Sequence, residues 1–307
     1  MVSAVASGSC GGRRYAPAMT RTDPLLAIRE LVSSLTDPSA APVVIDARRS
    51  REAYLGSHLA GARWVDLDRE LAGPAADPAH GGRHPLPSPA AFSRTLSRLG
   101  VSPTSSVVVY DDQGGAISAA RLWWMLRSFG HAQVRVLDGG WQAIEEAARL
   151  GSLATDGVAV PDAWSGEGEP PYPVREWTGA TADLDAVELA RTDPSSLVID
   201  VRAADRYRGQ LETLDPIAGH VAGAINAPYA ESLGSDGRFL DATTLRDRYE
   251  RLLEGRALER VIVHCGSGVT ACHTLLALER AGLPGARLYV GSWSEWCRRP
   301  GLARVPA

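Results

Sequence analysis

The chain says the same thing twice. VVIDARRSREAYLGSHLAGARWVDLD begins at Val43, and LVIDVRAADRYRGQLETLDPIAGHVAGAINAPY begins at Leu197. Asp46 and Arg48 recur 154 positions on as Asp200 and Arg202. His58 and Gly61 recur 162 positions on as His220 and Gly223, so the second copy holds eight more residues between these landmarks. The 154 spacing returns for VVVYDDQGG, from Val107, against VIVHCGSGV, from Val261. LDGGW, ending at Trp141, then matches YVGSW, ending at Trp293. Ordered matches over a unit of about 150 residues mean duplication of a whole domain, since solenoid repeats are far shorter. The 307 residues also fit two domains on length alone.

Each copy alternates short apolar runs with longer helical patterns. Val43–Asp46, Val107–Tyr110, Val134–Leu137, Leu197–Val201, Val261–His264 and Arg287–Val290 read as buried strands. Continuous β-branched runs of this kind suit a parallel sheet covered on both faces. Ala119–Phe129, Thr243–Leu253 and Thr270–Ala281 read as helices, the last stopped by Gly282 and Pro284. Alternating strands and helices predict two α/β domains, each a parallel sheet flanked by helices. Residues 1–22 read as a leader, poor as a signal peptide because the arginines follow the weak apolar part, or as upstream translation of a chain starting at Met19. Residues 23–156 form the first domain and 157–180 a Pro/Gly-rich linker. Residues 181–300 form the second domain, and 301–307 a tail.

All 32 basic residues are arginine, and no lysine occurs anywhere. Schiff-base chemistry and a P-loop are thereby excluded. Any fixed side-chain cation must be a guanidinium, whose planar fork suits carboxylate and sulfonate groups. The formal net charge of -4 without basic runs argues against a nucleic-acid partner. No apolar run approaches the roughly 18 residues that span a bilayer. Cys10, Cys265, Cys272 and Cys297 form no CxxC pair and read as reduced cytoplasmic thiols.

The chemistry lies in VIVHCGSGVTACHTLLALERAG. A buried strand ends at His264, Cys265 follows, and Gly266, Ser267, Gly268, Val269 and Thr270 lead into a helix. Ligands in open α/β sheets sit at the C-terminal ends of strands. Two glycines let successive N–H groups curl inward, and the helix end closes an anion-binding nest. A cysteine at that place is a thiolate-rich nucleophile, whereas Cys272, two turns into the helix, reads as packing. Cysteine phosphatases need an arginine six positions after the cysteine to grip phosphoryl oxygens; here that position is Ala271. Sulfur transfer fits instead, with the N–H groups stabilising a cysteine persulfide. No metal-ligand spacing links the histidines to the cysteines, and the motif calls for no cofactor.

CGSGVTA at Cys265–Ala271, GSWSEW at Gly291–Trp296 and ARLWWMLRSFGH at Ala120–His131 together resemble a tandem-domain rhodanese. The resemblance runs from about Leu25 to Trp296. It implies two rhodanese-like domains, the second catalytic and the first an inactive copy. The uncharged loop resembles the 3-mercaptopyruvate branch, since thiosulfate enzymes typically carry cations where Gly266 and Ser267 stand.

Duplication serves as an internal control. The D-x-R pair and the two tryptophans occur in both copies and are expected to serve the fold. Cys265 is unique, its counterpart being Asp111, which cannot carry a persulfide. Arg206 is unique too, aligning with Glu52. The resemblance implies that Arg206 binds the donor anion, with the loop residues Gly266, Gly268, Val269 and Thr270 around it. A second arginine is usual nine positions further on, but Asp215 stands there. The resemblance also implies a Ser-His-acid relay for proton transfer, with Ser267 as the serine and His58 as the histidine. No carboxylate stands at the matching place; Arg49 lies near it and Glu52 beside it.

The expected function is therefore a cytoplasmic sulfurtransferase. It would draw on 3-mercaptopyruvate or thiosulfate and deliver sulfur to cyanide, a small thiol or a thioredoxin-like protein. A non-catalytic persulfide carrier or redox sensor uses the same residues and is the alternative, a cysteine phosphatase a more distant one.

Overall fold

The computed structural model describes residues 22–37, 41–156 and 170–306. Cys10, the leader as far as residue 21, most of the expected linker and residue 307 lie outside the described residues.

Two five-stranded parallel sheets repeat one topology. In the first domain the strands are β1 (Leu25–Leu26), β2 (Val43–Asp46), β3 (Arg63–Trp64), β4 (Val107–Tyr110) and β5 (Val134–Leu137), ordered β1-β5-β4-β2-β3. In the second they are β6 (Thr181–Ala182), β7 (Leu197–Asp200), β8 (Ile225–Asn226), β9 (Val261–His264) and β10 (Arg287–Tyr289), ordered β6-β10-β9-β7-β8. The long apolar runs supply the central strands because each is buried on both faces. Register repeats as well: Asp46 lies opposite Tyr110, and Asp200 opposite His264. Each domain adds an antiparallel ribbon with its own tail, His58–Leu59 against Thr155–Asp156 and His220–Val221 against Arg304–Val305.

The duplicated ion pair is a fold device. Arg48 forks onto Asp46 and donates to the Ser57 carbonyl; Arg202 forks onto Asp200 and donates to the Gly219 carbonyl. The guanidinium of Arg48 lies 4.0 Å from the Trp141 ring, and that of Arg202 4.9 Å from the Trp293 ring. Both pairs are buried, which satisfies charges that would otherwise be costly there.

The helices that follow the two central strands are α1 (Ser118–Ser128) and α2 (Ala271–Arg280). They pack against each other, so a single apolar core runs through both domains and includes Trp123, Leu126, Phe129, Leu275 and Leu278. α1 is buried nearly all round, only Arg127 standing clear of the packing. The domains therefore meet along the helices that leave the two strand ends, and the strand ends face the seam.

Candidate active site

Strand β9 delivers Cys265 to the middle of the second sheet's C-terminal edge. The Cys265 N–H donates to Ser292 Oγ at 3.2 Å. Its carbonyl accepts from Trp293 N–H (3.0 Å), and the Gly266 carbonyl accepts from Ser294 N–H (2.8 Å). With those carbonyls turned outward, the loop's own N–H groups turn inward. Among the described residues, none accepts from the N–H groups of Gly266, Ser267, Gly268, Val269 or Thr270. Gly268 is required: its φ is +76°, and a side chain there would meet the Val290 carbonyl at 2.4 Å. The result is an uncommitted anion nest ending at α2.

Two guanidinium groups hang over it. A methyl group placed on Gly266 would lie 3.4 Å from Arg206 Nη1 and 3.5 Å from Arg83 Nη2. Arg206 comes from the second domain, Arg83 from the first. Buried carboxylates aim them. Glu212 accepts from Arg206 Nη2 at 2.7 and 2.8 Å. Asp215 takes Arg83 and Arg298, the latter at 2.8 Å, and its other oxygen stands 3.9 Å from Arg206. Arg83 is also fixed through its N–H, which donates to Ser294 Oγ at 3.1 Å. Asp215 thus does not leave the site short of a cation. It binds one that the other domain provides.

The histidine at Ser267 is His84, not His58. Ser267 Oγ lies 2.8 Å from His84 Nδ1, and His84 Nε2 lies 2.9 Å from Asp68 Oδ1. Asp68 is held in turn by Arg49 at 2.8 Å. Since Asp68 accepts the Nε2–H, Nδ1 is left to accept the serine proton. Burial lowers the His84 pKa against the opposing pull of Asp68. On Asp68, burial acts upward but the bonds from His84 and Arg49 prevail, and its pKa is lowered. A neutral imidazole between an ionised carboxylate and a hydroxyl is the arrangement a proton relay needs.

His58 has a different occupation. It is fully buried, stacks on Tyr54 at 4.1 Å, and its Nδ1 sits 2.8 Å from the Tyr54 carbonyl. His220 does the same on Tyr207, at 3.7 Å and 2.8 Å. The shared histidines brace the shared ribbon, so the expectation that His58 stands at Ser267 is overturned, and the histidine found there is His84. Arg83, His84 and Asp68 have no counterpart in the second copy. The absence of any cation in the loop after Cys265 signals that arginines must reach it from elsewhere. Among the described residues no group of three or more potential metal ligands is found, and no helix is long and apolar enough to cross a membrane.

Comparison with known proteins agrees with this architecture. The rhodanese-like domain family matches twice, at residues 28–147 and 183–299. The Pseudomonas aeruginosa protein named "Probable 3-mercaptopyruvate sulfurtransferase" is 40% identical over 90% of this chain and 95% of its own. An Arabidopsis thaliana protein named thiosulfate/3-mercaptopyruvate sulfurtransferase 2 is 33% identical over 97% of this chain and 91% of its own. The crystal structure of SseA from Escherichia coli, a 3-mercaptopyruvate sulfotransferase, superimposes with a TM-score of 0.69 at 30% identity, covering 89% of this chain and all of that one. The chain belongs to the rhodanese-like family, in its tandem-domain form. Within that family it is a sulfurtransferase.

Proposed function

We propose that this enzyme takes sulfur from 3-mercaptopyruvate in preference to thiosulfate, holds it as a persulfide on Cys265, and passes it to cyanide, a small thiol or a reduced thioredoxin-like protein. The observation that carries the preference is the line Ser267–His84–Asp68 at the rim of the nest. Proton bookkeeping explains why. With thiosulfate, Cys–S⁻ attacks the outer sulfur, the S–S bond breaks, and sulfite leaves with the electron pair; no proton moves. With 3-mercaptopyruvate, Cys–S⁻ and HS–CH₂–CO–COO⁻ become Cys–S–S⁻ and CH₃–CO–COO⁻. The C–S bond breaks, its electrons form an enolate, and the thiol proton must reach carbon. Only the second donor has work for a hydroxyl–imidazole–carboxylate chain.

The remaining parts follow the same logic. The donor carboxylate sits between Arg206 and Arg83 in charge-assisted bonds. The persulfide anion rests on the N–H groups of Gly266, Ser267, Gly268, Val269 and Thr270. Residues 181–300 make the catalytic domain and 23–156 the inactive copy, joined through 157–180. Cys265, Cys272 and Cys297 are free thiols, which favours a reducing, cytoplasmic setting.

Side-by-side kcat/KM values for the two donors test the reading. Ser267→Ala should lower 3-mercaptopyruvate turnover by about a hundredfold and thiosulfate turnover by no more than a few-fold. Equal losses remove the relay, and a higher kcat/KM for thiosulfate in the wild type removes the preference.

A further inference from the structure

Arg121 is a buried cation without a counter-ion. It belongs to α1 in the first domain and is 0% exposed. Its guanidinium crosses the seam. Nη1 donates to the Gly268 carbonyl at 3.3 Å, and Nη2 to the carbonyls of His84 (3.0 Å) and Leu71 (3.4 Å). Nε is buried and has no acceptor. Among the described residues no carboxylate pairs with it. Charges buried in this way are costly unless an opposite charge compensates them.

The groups around it that can carry negative charge are sulfurs. The Cys272 thiol shares the Gly268 carbonyl at 3.4 Å, and Cys265 opens the same loop three residues earlier. Burial lowers the Arg121 pKa, and Cys272 and Cys265 act against that. Burial also drives the Cys272 thiol up to about 12, so it stays neutral near physiological pH. Cys272 thus meets the guanidinium directly but as a neutral thiol, and the other sulfur that acts on Arg121 is that of Cys265. The duplication agrees: at the 154 spacing the counterpart of Arg121 is Leu275, so the cation is present only on the helix that faces the reactive loop.

We propose that Arg121 is the buried counter-ion of the Cys265 sulfur anion, holding thiolate and persulfide charge from beneath the nest while Arg83 and Arg206 hold the donor above it. It touches no donor atom and acts as a positioning residue. Its bonds to the carbonyls of Gly268 and His84 also tie the loop to the relay. The proposal rests on the persulfide reading, but its test does not require sulfur transfer.

The test is the pH dependence of iodoacetamide alkylation of Cys265 in sulfur-free enzyme, followed by peptide mass. The other titratable or charged groups around Cys265 are His264 with Asp200 and Arg202, Arg206 and Arg83 with Glu212 and Asp215, His84 and Cys272, and they stay in place in every variant. Arg121→Gln should move the alkylation midpoint up by about one pH unit, an approximately tenfold slower reaction at neutral pH. Arg121→Lys should hold the wild-type midpoint to within about a third of a unit. No shift in Arg121→Gln, or equal shifts in both variants, overturns the proposal. Should Arg121→Gln not fold, the wild type decides. Sulfur-loaded enzyme should melt above sulfur-free enzyme, because a persulfide is more acidic than a thiol and so presents Arg121 with more negative charge. Equal melting throughout overturns it. Failure to load sulfur at all counts against the persulfide reading, while alkylation still tests Arg121.

Discussion

Asp111 and Cys265 stand at the same place in two copies of one fold, each at the end of a central strand and before a helix. In the first copy the nest is already occupied by the chain's own side chain. Asp111 accepts from the N–H groups of Gln113 (2.9 Å), Gly115 (2.8 Å), Ile117 (3.2 Å) and Ala119 (3.1 Å). Burial lifts its pKa while those four bonds pull it down, and burial prevails. Leu233, Gly237 and Phe239 of the second domain then close over Gly114 and Gly115. In the second copy the corresponding N–H groups remain open, and two arginines and a serine stand over them. The nest is a property of the fold. On the reading proposed above, reactivity comes from the residue at the strand end and from what reaches across the seam to it.

The sharpest way to break this comparison is to exchange the strand-end residues. Cys265→Ser should abolish the gain of about 32 Da, one sulfur, that donor produces in intact mass. Asp111→Cys should gain no second sulfur, because its loop lacks the overhanging arginines and relay. A doubly loaded Asp111→Cys enzyme would show the nest alone to be sufficient. A smaller effect is expected on stability. Asp111→Ala orphans four buried donors and should destabilise the protein by about 3 kcal/mol in chemical denaturation. Cys265→Ala orphans none that the side chain was satisfying and should change stability much less. Comparable losses would mean that the two nests are filled alike. The smallest effect is a pH dependence. His84, with its pKa lowered by burial, is neutral at neutral pH and gains a proton only as pH falls below the ordinary histidine range. The ratio of 3-mercaptopyruvate to thiosulfate turnover should therefore drop a few-fold on acidification, and His84→Gln should flatten that ratio. Both donors meet the same Cys265, whose contribution cancels in the ratio, so a ratio that stays level in the wild type would remove His84 from proton transfer.

Much of this was legible in one sequence. The four-residue strands and the three helices read from the sequence were found within a residue, because central parallel strands and enclosed helices leave continuous apolar runs, while helices such as Pro89–Arg98 and Gly140–Arg149 were not named. The two-residue edge strands, such as Arg63–Trp64 and Ile225–Asn226, carry too few residues to show a period. Cys265 was legible because a nest is local in sequence. Arg206 was legible because the repeat isolates it. The partner of Ser267 was misplaced because the family pattern pointed to a histidine, and His58 was the one at hand. Its twin His220 already marked it as a fold residue. Ser267 meets His84 from 183 positions away, a contact that spacing cannot express. Asp215 misled through its sign: a carboxylate where a cation is usual reads as repulsion until the arginine it holds is seen.

The seam has a consequence for how the chain can be divided. Asp68, Arg83, His84 and Arg121 belong to the half without a nucleophile, yet all four converge on the half that has one. A gene fragment encoding the second domain alone would carry Cys265, Ser267 and Arg206 but neither His84 nor the second guanidinium over the nest. On the reading proposed above, the first half is a working part of the second half's site, and separating the two would leave Cys265 under one guanidinium instead of two.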